Sequence, residues 1–142
     1  MSWIEPEANG AIITSYTVYF RSVDPTIYFT LPQFCDGSNP AIMQATECII
    51  PADEFVKAPF DLPWGASIYA KVMATNFMGA SVGSNPGNGA VITSTPDAPF
   101  NLVENYAYRT KSILSFSWTE GLANGGAVII DYRINIAVLG EP

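Results

Sequence analysis

The side chains able to do chemistry in these 142 residues are few. Histidine is absent, which removes the commonest general base and the commonest metal ligand. Two cysteines remain, Cys35 and Cys48, set 13 residues apart. Their flanks, TIYFTLPQFC and AIMQATECIIP, read as two strands joined by the turn DGSNP. A disulfide between them would restrict the unfolded chain and contribute about 3 kcal/mol. Two buried thiols in a reducing compartment, or part of a metal site, are the competing readings. Two sulfurs without histidine cannot fill a tetrahedral zinc shell unaided. A bridge points to an oxidising compartment, and so to an extracellular or cell-surface location.

The thirteen carboxylates are dispersed over turns and strand ends, and no spacing singles out a pair that could act as acid and base. They read as solvated charges. PADE (residues 51–54) and PDAP (residues 96–99) could offer oxygens to calcium, but calcium takes about six to eight and PDAP supplies one carboxylate. The glycines of GASVGSNPGNG precede no helix and lack a phosphate-binding lysine, so they read as a flexible turn between strands. Trp64, Tyr69 and Phe77 could form a sugar-stacking platform, or pack under loops. The expectation is a non-enzyme without catalytic, cofactor-binding or metal residues.

The elements that must position these groups carry a period-two signal. Tyr16, Val18 and Phe20 share one strand face, as do Ile68, Ala70, Val72 and Ala74. Turn clusters such as EPEANG, SVDP, CDGSNP, DLPWG and TPDAP separate the strands at hairpin-like intervals, and no helix is expected. With 49% apolar and 13% charged residues the chain should bury a core. A net charge of -7 and six scattered basic residues argue against nucleic acid as a partner. No run approaches the roughly 18 apolar residues of a membrane span. The first residues do not read as a secretion signal, so any such signal lies elsewhere. None of the nine asparagines lies in an Asn-X-Ser/Thr site.

The chain also repeats itself. Ser2 and Trp3 match Ser117 and Trp118, and Asn9 and Gly10 match Asn124 and Gly125, all at a spacing of 115. One extra residue then enters the second copy, so Ile13, Tyr16 and Val18 match Ile129, Tyr132 and Ile134 at 116.

SW followed by an NG turn and I..Y.V, then the AKVMATNFMGASVGS stretch and PDAPFNL, resembles the fibronectin type III domain over nearly the whole chain. The resemblance implies an all-β, immunoglobulin-like antiparallel β-sandwich, in tandem. It puts Trp3 and Trp118 on strand B, Ile13, Tyr16, Val18 and their counterparts on strand C, and residues 68–76 on strand F. That family usually has a tyrosine where Ile68 stands, pinning a corner of the sandwich. Tyr69 is one residue late and faces the other way. The Cys35 and Cys48 pair is the candidate replacement for that fastening.

On this basis residues 1–95 form a fibronectin type III-like domain lacking strand A and most of B. Residues 96–98 are a linker, stiffened by prolines, and residues 99–142 are the first strands (A, B, C) of a second such domain. Unfinished sandwiches expose edges that invite completion. Two arrangements satisfy this: a window of a longer tandem chain, which is preferred, or a subunit whose terminal strands complete the next copy head to tail. The expected partners are therefore other copies of the chain or adjacent fibronectin type III domains. The expected role is a structural or adhesive segment of an extracellular filament or rod. The cysteine pair and the AKV.A.N..G.S wording resemble repeats in long surface proteins of single-celled eukaryotes. A carbohydrate- or receptor-binding module is the alternative, and an accessory domain of an enzyme the third reading.

Overall fold

Tyr16, Val18 and Phe20 alternate with Thr17, Tyr19 and Arg21, and this period creates β1 (Ile13–Arg21) with one buried face. Ile13 is buried as well, although it stands three residues before Tyr16. A bulge between Ile13 and Ser15 absorbs the odd residue, so that both side chains point inward. The chain enters β1 through a tight turn at Asn9 (φ 51°) and Gly10 (φ 85°), closed by an Ala11 N–H bond to the Ala8 carbonyl at 3.1 Å.

The computed structural model describes residues 1–137 and packs them as two compact units, Met1–Thr93 and a second beginning at Ser94. The class is all-β with antiparallel sheets. In the first unit β2 (Tyr28–Phe29) pairs with the far end of β1, and β3 (Ser67–Asn76) pairs with residues 13–20 of β1 through its own residues 70–76. Tyr16 stands opposite Ala74, Val18 opposite Val72 and Phe20 opposite Ala70. The other edge of β3 holds β4 (Gly79–Ala80) at one end and β5 (Gly87–Val91) at the other. Between them the chain continues beside β3 through serine side chains. Ser81 Oγ accepts from Ala74 N–H and Ser84 Oγ from Val72 N–H, both at 3.1 Å. The GASVGSNPGNG segment, expected as a flexible turn, is thus fastened to the sheet edge.

Across the inner face lies a layer made chiefly of loop and helix. Leu31, Cys35, Cys48, Phe55, Phe60 and Leu62 pack onto Val18, Phe20, Ile68 and Ala70. Two short helices stand in this layer where none was expected. In α1 (Pro40–Ala45) Asn39 caps the first turn, its side chain accepting from Ala41 N–H at 2.9 Å, and Pro40 occupies a first-turn position where its missing N–H costs nothing. The sequence AIMQATECIIP, read as a strand, therefore begins in this helix and continues as turn and coil apart from the bridge at Glu47. The second, a 3₁₀ turn at Ala52–Val56, buries Phe55. The isolated bridge between Ser2 and Glu47 is the ladder contact in this layer.

Among its described residues the second unit contains one hairpin, β6 (Phe100–Glu104) against β7 (Phe116–Thr119), joined through a 3₁₀ turn at Tyr106–Tyr108 that Asn105 caps. The third strand expected across Ile129, Tyr132 and Ile134 does not form among the described residues. A strand is held by its ladder, and the counterpart of β3, which holds β1, is not present among the described residues of this unit. The part of the expected strand beyond residue 137 lies outside the described residues. Residues 94–97, which include the start of the expected linker, are bonded into this unit. Ser94 N–H donates to the Gly125 carbonyl at 2.8 Å, and Asp97 N–H to the Ala123 carbonyl at 2.9 Å.

Candidate functional site

Cys35 and Cys48 are joined in a disulfide with Cα atoms 5.3 Å apart. Both are buried. They tie the start of the α1 loop to the residue after Glu47, which carries the Ser2 bridge. Of the strands expected to flank the bridge, the first is a strand only at β2 (Tyr28–Phe29) before it turns to loop, and the second gives way to helix α1, yet the pair still meets, because α1 turns the chain back within 13 residues. Beside it Gly37 lies against β1, its carbonyl accepting from Tyr16 N–H at 3.0 Å. A Cβ at Gly37 would fall on the Tyr16 carbonyl, so only glycine fits. Nothing in the sequence around DGSNP marks that contact, since its partner is a distant strand.

Several carboxylates are already engaged within the fold. Asp24 accepts from the N–H and hydroxyl of Thr26, and Asp36 from the hydroxyl and N–H of Ser38; these bonds hold both carboxyls below the usual aspartate value. Within PADE, Asp53 and Glu54 both bond Lys57, at 2.7 and 2.8 Å, and the Lys57 hydrogen bond holds the Asp53 carboxyl low. Asp97 of PDAP caps the Ala123 N–H at 3.1 Å. Among the described residues no three groups of the His, Cys, Asp and Glu type converge to hold a metal.

The three aromatics of the sugar-platform reading do not assemble. Trp64 precedes β3 and Phe77 follows it, so a ten-residue strand, about 30 Å long, separates them. Tyr69 lies on the outer face of that strand under the Arg21 guanidinium, 3.6 Å from the ring centre, and Lys71 covers Tyr28 in the same way at 3.8 Å.

One opening in the first unit borders its core. A groove of about 470 Å³ runs between Met1 and Ser2 on one side and the Gly87 to Ala90 portion of β5 on the other. Phe20, Cys48, Phe55 and Ile68, members of the core, form part of its lining. In the second unit Phe100, Leu102 and Val103 of β6, with Ile113 and Leu114, are exposed. These two surfaces, a groove floored by the buried core and an uncovered apolar strand, are the candidate site, and their chemistry is that of strand pairing. Among the described residues no helix is long and apolar enough to cross a membrane. Comparison with family models, with curated proteins and with solved structures gives no match, so the surfaces themselves carry the functional reading.

Proposed function

We propose that the chain is a structural or adhesive segment of an extracellular or cell-surface rod, built of tandem fibronectin type III-like sandwiches and acting through contacts between β-units. The observation that carries this reading is the open groove over Phe20, Phe55 and Ile68. A groove left beside the core along one strand edge is filled when a further β-segment lies in it, and tandem or head-to-tail units supply such a segment. Three further features support it. The order β2, β1, β3 and then β4 with β5 is that of the C′, C, F and G strands the resemblance implies. The Trp3 and Tyr16 rings, 5.2 Å apart at 63°, are matched in the second copy by Trp118 and Tyr132, 5.3 Å apart at 57°. The disulfide suits an oxidising compartment.

Two measurements on the native protein test the reading. Antibodies against the chain should label intact, unpermeabilised source cells. The protein isolated without reductant should sediment with the high friction of an elongated particle. Labelling that needs permeabilisation, together with the friction of a compact globule, would refute the proposal.

A further inference from the structure

Among the described residues, Met1 to Trp3 pair along one edge only. Trp3 N–H donates to the Thr46 carbonyl at 3.0 Å, and Cys48 N–H donates to the Met1 carbonyl at 2.8 Å. Ser2 and Glu47 are thereby a non-hydrogen-bonded pair of an antiparallel ladder. In that phase the N–H and C=O of Ser2 point to the opposite edge, and among the described residues neither has a backbone partner.

The internal repeat identifies what fits there. Ser2 corresponds to Ser117, which stands opposite Val103 of β6. Asn105 N–H donates to the Ser115 carbonyl at 2.7 Å, which makes Glu104 and Phe116 a non-hydrogen-bonded pair. The next pair, Val103 and Ser117, is then the one that exchanges both bonds. The edge through which Ser117 bonds β6 is the edge that Ser2 leaves open. Two independent ladders, one in each unit, agree in phase.

We infer that this edge takes strand β6 of a second copy of the chain, antiparallel, with Val103 opposite Ser2. The inference rests on the assembling role proposed above and names the partner for it. Leaving its own β7, the strand trades one Ser-Trp pair for another, so the bonds at Val103 are conserved in the exchange, while the one from Asn105 N–H to the Ser115 carbonyl has no counterpart at the 115 spacing. Its gain is cover for its own side chains: Phe100, Leu102 and Val103 are exposed in their own unit and would lie against the groove beside Ser2.

The test titrates a fluorescent synthetic peptide of residues 98–106 with the full chain, and follows the chain alone by sedimentation as its concentration rises. The peptide should bind saturably, and the chain should self-associate. Ser2→Pro removes the N–H on the free edge and leaves the bonds to Thr46 and Cys48 in place, so it should weaken both events at least tenfold, about 1.4 kcal/mol. A peptide N-methylated at the Val103 position should lose binding to the same degree, with the chain itself untouched. No saturable binding up to about 1 mM overturns the inference. Equal binding to the Ser2→Pro chain, or equal binding of a scrambled peptide, overturns the edge assigned. Peptide binding by a chain that stays monomeric rules out a second copy as the occupant. The sedimentation of the native protein reads the assembling role separately, so a failed titration leaves that role standing.

Discussion

β1 and its copy near the other end of the chain carry nearly the same words and reach different structures. Tyr16, Val18 and Phe20 are 4%, 2% and 0% exposed, while their counterparts Tyr132, Ile134 and Ile136 are 36%, 42% and 81% exposed. The tryptophan and tyrosine ring pair forms in both, so local side-chain packing is reproduced. What the second copy lacks among the described residues is a strand like β3 beside it. An alternating sequence grants the capacity to pair, and a neighbour converts that capacity into a strand.

A matched pair of truncations puts the largest strain on this comparison. Phe20→Ala removes a fully buried ring that stacks edge-on against Phe55, and should cost about 3–5 kcal/mol in urea denaturation. Ile136→Ala, at the equivalent position, should fall within about 0.5 kcal/mol of the parent. Similar losses at both sites would mean that the second copy is packed as β1 is.

The disulfide belongs to the first unit alone, and removing it should separate the two units next. Replacing both cysteines (Cys35→Ser with Cys48→Ser) should lower the stability of the first unit by about 3 kcal/mol, since the loop they close is 13 residues long. Amide exchange in β6 and β7 should stay unchanged in the same sample, because no cysteine lies in that unit. A loss shared by both units would show that they unfold together.

Period two made β1 and β3 readable, because burial on one face leaves its mark on every second residue. The cysteine pair was readable through scarcity, with no histidine and no third sulfur to compete for it. The helix α1 was hidden because Asn39 and Pro40 are turn residues as well as a cap and a first-turn proline, and only the fold decides between these uses. Gly37, Ser81 and Ser84 act on strands distant in sequence, and their own neighbours carry no trace of that. The phase of the Ser2 edge needed hydrogen bonds, which no residue pattern records.

The finest contrast lies in the glycine at the repeat boundary. Gly10 and Gly125 are equivalent by spacing and both have left-handed backbone, at φ 85° and 68°. In the first copy the turn is centred on Asn9 and Gly10, but in the second the extra residue shifts it to Gly125 and Gly126, closed by Ala127 N–H on the Asn124 carbonyl at 3.4 Å. That shift changes what each glycine meets. A Cβ on Gly10 would have nothing within 4 Å, whereas one on Gly125 would fall on the Ser94 carbonyl. Either alanine substitution should incur about 1 kcal/mol for the left-handed backbone. Gly125→Ala must also push residues 94 and 95 away, breaking the bond from Ser94 N–H to the Gly125 carbonyl. The amides of Ser94 and Asp97 should therefore exchange at least tenfold faster in Gly125→Ala, with Gly10→Ala leaving them unchanged. Equal exchange in the two variants would mean that the segment entering the second unit is not held by that glycine.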